Sequence, residues 1–378
     1  MNLNEKKKLN ELKKILFKKK ILIITGSKSF NKSGASKKIL PVIKNKNYFI
    51  YFKKQKLPEL NELLKILNLI KKIEPNIIIG IGGGTSIDYS KLCSVFYKEK
   101  KIKEKIQNNK IFNFKNKIKT IILPTTAGTG AEVTKFATIF IGKKKYSISD
   151  KLVTPNKYFI FSDFCRRSSN YVKASSLMDT ICQSTESLLS TSSTKNSVNY
   201  SIKSLKIAFK HFDKFVSTND KKSSESITLA ANLSGKAINI AKTNGPHAVS
   251  YYFSTHHDLN HGHAVSLTIN SFLYFNYINS KKSITNFNLK NRYKKLFKIT
   301  KTKSIHQLNL FYHKLINKLN ININFKKLKI NIKKEIKNII KETNLERLKN
   351  NPIQIKKENL YQIIKNNEIK NFKNIKNI

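Results

Sequence analysis

Along the first part of the chain, short apolar runs alternate with longer polar stretches that repeat Leu and Ile at helical spacing. Residues 20–24, 48–52, 76–81 and 119–123 read as strands. The run at 76–81 is almost wholly apolar, as befits a strand covered on both faces. Between the second and third strands, Leu60, Leu63, Leu64, Leu67 and Ile70 mark a helix over 58–72. Strands alternating with helices predict a parallel α/β sheet. Beyond about residue 163 the strand-like runs vanish. Helical periodicity takes over at 175–191, 198–216, 226–241 and 264–277, and returns at 328–340 in a Lys/Asn/Ile-rich stretch. The expectation is an α/β domain over 1–163 followed by an all-α domain over 164–378.

Composition changes this picture little. A chain of 378 residues with 39% hydrophobic residues has the length and apolar content for two packed cores. The formal net charge of +52 first suggests a nucleic-acid binder. The excess is nearly all Lys, however, spread from Lys6 to Lys376 and accompanied by Asn and Ile, while Trp is absent. That is the signature of drift in an A/T-rich genome, which loads solvated surface with Lys. No basic helix with interleaved aromatics and no zinc finger accompanies it, so no specific nucleic-acid partner is expected. Cys93, Cys165 and Cys182 form no CxxC pair and read as reduced thiols. No uncharged apolar stretch approaches membrane-spanning length, and no leader cleavage site is evident. The expectation is a cytoplasmic protein that does not engage membranes.

Chemistry gathers in three places. After the strand at 76–81, Gly82-Gly83-Gly84 turns into a helix beginning near Thr85. Glycines let the backbone approach a pyrophosphate, and Thr85 or Ser86 is placed to cap a helix whose first N–H groups face the anion. A tight turn without a ligand is the plainer alternative, but three consecutive glycines exceed what a turn needs. Asp88 and Lys91, one turn apart on that helix, are placed to pair. The loop Pro124-Thr-Thr-Ala-Gly-Thr-Gly130 also follows a strand, where ligands of such sheets bind, and Thr125, Thr126 and Thr129 offer hydroxyls. Finally, His247, His256, His257, His261 and His263 are five of the chain's eight histidines. Such crowding favours metal binding or acid–base work over five isolated structural roles. On the helix at 175–191, Asp179, Gln183 and Glu186 line one face.

Together these pieces resemble the iron-containing alcohol dehydrogenase family. The matching stretches are IGIGGGTSIDYSK, ILPTTAGTGAEVTKFATI, KYSISDKLVTPNKYFIFSD, SSLMDTICQSTES, GPHAVSYYF, NHGHAVSL and ERLKNNP, in the family's order and covering almost the whole chain. The resemblance implies an N-terminal α/β nucleotide-binding domain, a C-terminal all-helical domain, and metal and substrate in a cleft between them. It implies NAD or NADP, a divalent ion (Fe2+, with Zn2+ as the alternative), a small aldehyde or alcohol substrate, and a homodimer.

The family's metal is held by an Asp, a His four residues later, and two further His 14 residues apart. By motif alignment these places fall on Asp179, Gln183, His247 and His261, with Gln183 standing where the family has His. A further family His is replaced by Tyr251, a phenol able to donate a hydrogen bond. Gly82, Gly83, Gly84, Thr85 and Ser86 fall at the pyrophosphate, and Thr125, Thr126, Thr129 and Lys145 on the nicotinamide side. Many members place Asp where this chain has Gly26. Its loss, with Ser27 and Lys28 following, removes a repulsion toward a ribose 2′-phosphate, so NADP is expected to be accepted. Gly26 reads equally as an ordinary strand-end glycine. The Gln version looks most like the branch that includes phosphonoacetaldehyde reductases, which implies an aldehyde carrying an anionic group. Two other readings stay open: a same-fold enzyme acting on a cyclic or phosphorylated substrate, and a degenerate homologue without activity.

Overall fold

In the computed structural model, which describes residues 3–44, 47–108, 112–367 and 369–375, the apolar runs of the first part form one parallel sheet. Its strands are β1 (Ile21–Thr25), β2 (Tyr48–Phe52), β3 (Ile77–Gly82), β4 (Lys119–Pro124) and later β7 (Lys157–Tyr158), in the order β2-β1-β3-β4-β7. Every residue of β1 and β3 is buried. The two-residue alternation of a strand explains why both faces are aliphatic. Leu22, Ile24 and Ile78 point into a core with Leu63, Leu67, Leu92 and Phe96. Ile21, Ile23, Ile79 and Ile81 point into the opposite one, with Phe30, Ile39 and Leu123. The helices α1 (Leu60–Ile73) and α2 (Gly84–Phe96) supply the first of these layers. The hairpin β5 (Phe136–Ile141) and β6 (Lys144–Ser149) stands apart as a second, antiparallel sheet. No strand is expected here from the sequence: β6 is mostly Lys and Ser, while β5, although apolar, is a six-residue run.

The chain divides into two compact units, Met1–Ser168 and Ser169–Ile378. The second is helical throughout its described residues. Three long helices, α3 (Asn170–Leu189), α4 (Lys195–Ser217) and α5 (Lys221–Ala241), pack on one another and are followed by α6 (Gly245–His256), α7 (His261–Ser266) and α8 (Ile269–Ile278). The long helices begin earlier than apolar periodicity suggests, because their first turns are rich in Lys and Ser. Their starts are set by caps: Ser169 accepts from Val172, Thr194 forms a capping box with Ser197, and Asp220 accepts from Ser223. The single helix expected over 264–277 is two, interrupted at Leu267 and Thr268. The helix expected over 328–340 runs Ile332–Glu342 and is capped by Asn331. Among the described residues, no helix is long and apolar enough to cross a membrane.

Candidate functional site

In the first unit, the end of β3 is where the chain turns tightly. Gly82 has φ +154°, and a Cβ there would stand 2.5 Å from Ser86 Oγ, so only glycine fits. Gly83 is the extended N-cap of α2 and makes no side-chain cap. The expected cap from Thr85 or Ser86 is therefore absent. Thr85 Oγ1 donates instead to the Lys56 carbonyl at 2.6 Å, and Ser86 is buried beneath Gly82. The first N–H groups of α2 thus have no side-chain cap, as a site for an anion requires.

The threonine loop sits directly against this turn. Thr125 N donates to the Gly82 carbonyl at 2.9 Å. A Cβ on Gly83 would approach Thr126 Oγ1 to 3.3 Å, and one on Gly84 would approach Thr129 Cγ2 to 3.2 Å. Thr125 itself is buried, while Lys145 lies on the hairpin strand β6 with its ammonium over the Phe140 ring. Asp88 and Lys91 do not pair with each other as expected. Asp88 accepts from the Thr138 hydroxyl at 2.7 Å. Buried Lys91 donates to Ala131 O, Thr134 Oγ1 and Phe136 O, tying α2 to the following loop. Gly26 caps the short helix Ser27–Lys32. Beyond its chain neighbours, Ser29 Oγ and the stem of Lys53 lie 3.0 and 3.8 Å from a Cβ placed there.

In the second unit, three helices converge. Asp179 lies mid-way along α3, His247 in the first turn of α6, and His261 opens α7. His247 Nε2 is 3.2 Å and His261 Nε2 3.9 Å from Asp179 Oδ1. One ligand atom from each lies within 4.8 Å of the others. This close approach depends on Gly262: a Cβ there would fall 1.8 Å from the Ser175 carbonyl oxygen of α3. Glu186, two turns beyond Asp179, orders the entry to α6. It accepts from Asn244 N at 2.9 Å, from His247 N at 3.2 Å, and from His247 Nδ1 at 2.8 Å. With Nδ1 engaged, Nε2 is the nitrogen that faces Asp179.

The electrostatics follow from this geometry. Burial alone would depress His247, but Glu186 and Asp179 outweigh it and push the imidazole up to about 9. Burial alone would raise Asp179. The two imidazoles and the Gln183 amide reverse that and hold it below the usual carboxylate range.

The other histidines go elsewhere. His263 bridges Tyr171 Oη and the Asn322 carbonyl, at 2.9 and 2.6 Å. His256 and His257 meet Glu342 and Glu335, at 3.0 and 2.6 Å. Tyr251 stacks on the His261 ring, with centroids 6.1 Å apart and planes 13° apart. Gln183 lies beside Asp179, but with its nitrogen: Nε2 donates to Asp179 Oδ1 at 3.0 Å, and Oε1, the expected ligand atom, accepts from Ser234 Oγ at 2.8 Å. Sequence reasoning placed Glu186 on the polar face without a role, and it missed Gly262 and Ser234, which no local signal marks.

Comparison with known proteins identifies the family. Residues 2–162 match the family described as iron-containing alcohol dehydrogenase, and residues 173–368 match the C-terminal region of the same family. The chain belongs to the iron-containing alcohol dehydrogenase family. Over 217 residues it is 27% identical to the phosphonoacetaldehyde reductase of Streptomyces viridochromogenes, covering 55% of each chain. Over 285 residues it is 25% identical to the NADPH-dependent butanol dehydrogenase of Clostridium saccharobutylicum, covering 74% of this chain and 72% of that one. The matched stretch spans only 27% of the aldehyde-alcohol dehydrogenase of Streptococcus pneumoniae. Among solved structures, sulfoacetaldehyde reductase from Bifidobacterium kashiwanohense in complex with NAD+ aligns with TM-score 0.82 at 21% identity, covering 95% of this chain and 94% of that one. The alcohol dehydrogenase from Oenococcus oeni aligns with TM-score 0.86, also at 21% identity, covering 96% and 95%. These structural likenesses establish the iron-containing alcohol dehydrogenase fold. Within the family pattern, this member keeps one Asp and two His together and carries Gln183 and Tyr251 beside them.

Proposed function

We propose that this chain is a metal-dependent, NAD(P)-linked aldehyde reductase, acting reversibly as an alcohol dehydrogenase. The observation that carries the reading is the convergence of buried Asp179 and His247 with half-buried His261 in a member of the iron-containing alcohol dehydrogenase family. One carboxylate and two imidazoles suit Fe2+ and Zn2+ alike. A divalent ion bound there supplies a Lewis acid for the aldehyde oxygen, and a bound nicotinamide supplies the hydride.

The chain's own residues do the rest. Glu186 holds the His247 Nδ1 proton, so that Nε2 is the nitrogen left to give up its proton and ligate an ion beside Asp179. Gly82, Gly83 and Gly84, with the uncapped N–H groups of α2 at Thr85 and Ser86, hold the pyrophosphate. Thr125, Thr126, Thr129 and Lys145 hold the nicotinamide side. Gly26 leaves room for a ribose 2′-phosphate near Ser29 and Lys53, so NADP is accepted beside NAD. Tyr251, stacked on His261, is placed to orient that imidazole and to donate a hydrogen bond.

The substrate reading is a small aldehyde bearing a phosphonate or similar anion, supported by the phosphonoacetaldehyde reductase among the relatives. Three free, buried cysteines fit a cytoplasmic setting. A homodimer belongs to the same reading and is checked by light scattering. The decisive experiment is a screen of small aldehydes, phosphonoacetaldehyde included, with NADH and NADPH after loading with Fe2+ or Zn2+. Metal-dependent turnover is expected. A protein that binds neither ion and reduces no aldehyde is instead a degenerate homologue.

A further inference from the structure

Gln183 occupies the sequence position at which a fourth ligand was expected, yet its amide is turned the other way. Its nitrogen, not its oxygen, meets the Asp179 carboxylate, at 3.0 Å. The two residues are one helical turn apart on α3, so they share a face. The oxygen is held from behind by Ser234 of α5, whose Oγ stands 2.8 Å away. Asp179, Gln183 and Ser234 are all buried, so water does not compete for these groups.

The Asp179 carboxylate, which only accepts, fixes the direction of the amide. Reversed, it would set a carbonyl oxygen against a carboxylate oxygen at the same separation, two acceptors facing each other in a buried place. The Ser234 hydroxyl both donates and accepts, and it follows the amide: with Nε2 on Asp179, Ser234 Oγ gives its proton to Oε1 at 2.8 Å, nearer than the Thr180 carbonyl at 3.2 Å.

We propose that Gln183 stands outside the metal's coordination shell: its amide N–H anchors Asp179 while its oxygen rests on Ser234, leaving Asp179, His247 and His261 as the whole protein ligand set. This rests on the reading of the cluster as a metal centre. Gln183 and Ser234 are then positioning residues, doing for the carboxylate what Glu186 does for His247. Three protein ligands leave the remaining coordination positions to water and substrate oxygen.

The test uses the full chain loaded with Zn2+. Crystallography or X-ray absorption of the loaded wild type is expected to show two imidazole nitrogens and a carboxylate around the ion, with Gln183 Oε1 still on Ser234. An Oε1 at about 2.0–2.2 Å from the ion, the distance of a ligating oxygen, overturns the inference while leaving the enzyme reading intact. Chelator competition on Gln183→Ala should show one ion still bound, with affinity lowered roughly 10- to 100-fold, the usual cost of losing an outer hydrogen-bond partner. Ser234→Ala, a milder change that keeps the amide, should weaken binding in the same direction. Wild-type affinity in both variants overturns the positioning role. A wild type that takes up no metal overturns the enzyme reading itself, a result distinct from either of the others.

Discussion

At the end of β3 the groups offered to a ligand are backbone amides, and the side chains around them are small. Mid-way along α3 they are side chains, drawn from three helices. The first arrangement needs only a tight turn and room: Gly82 adopts a φ closed to other residues, and Gly83 and Gly84 lie against Thr126 and Thr129. The second needs exact helix packing, since Asp179 meets His247 from 68 residues away in sequence. The difference teaches where each half is vulnerable. The backbone half tolerates change in its flanks but not in its glycines. The side-chain half fails when helices shift by fractions of an ångström.

The comparison breaks most sharply at Gly262. An alanine there cannot coexist with the Ser175 carbonyl, so α7 must move off α3. Gly262→Ala is expected to cost about 3 kcal/mol or more, seen as a lowered melting temperature together with lost metal uptake. A variant that melts and binds metal like the wild type would show that α7 does not need this contact.

His261→Ala leaves the packing largely intact and removes one imidazole from the cluster. Since Lewis-acid assistance is worth several kcal/mol, metal-dependent aldehyde reduction should fall by ~100-fold or more. Undiminished turnover with metal present would remove His261 from the ligand set. Glu186→Gln keeps the shape but withdraws the charge that holds the His247 Nδ1 proton. Metal affinity should drop roughly 10- to 100-fold with a normal circular dichroism spectrum. An unchanged affinity would reduce Glu186 to a helix cap.

On the backbone side the expected effects are smaller and confined to the cofactor. Gly83→Val pushes into the Thr126 side chain and the anion-facing turn, so the KM for the nicotinamide cofactor should rise about tenfold, near 1.4 kcal/mol, while metal affinity stays put. A variant that lost metal but kept cofactor would invert the division drawn above. Gly26→Asp restores a carboxylate beside Ser29 and Lys53. It should lower kcat/KM for NADPH relative to NADH by several-fold, through like-charge repulsion at a partly solvated site. An unmoved ratio would make Gly26 a plain strand-end glycine.

Much of the first unit was legible because its signals are local. Strands buried on both faces must be aliphatic, so β1, β3 and β4 stood out within a residue of their bounds. With only 12 glycines in the chain, the cluster at Gly82–Gly84 was hard to miss. The hairpin was not read: β6 is half-exposed and rich in Lys and Ser, so the apolar run of β5 had no legible strand partner beside it. In the second unit the helices were legible, but their starts lay in polar caps and their interruption at Thr268 left no mark.

The sequence by itself therefore determined the two fold classes, the glycine turn and the crowding of histidines, all properties of neighbouring residues and of what the backbone can adopt. The resemblance already names His247 and His261 beside Asp179; only the tertiary structure decided that Glu186 rather than a solvent molecule holds His247, and that the Gln183 amide presents nitrogen instead of oxygen. Each of these depends on a partner brought from another helix, and the direction of a buried hydrogen bond is settled by the neighbour that has no alternative.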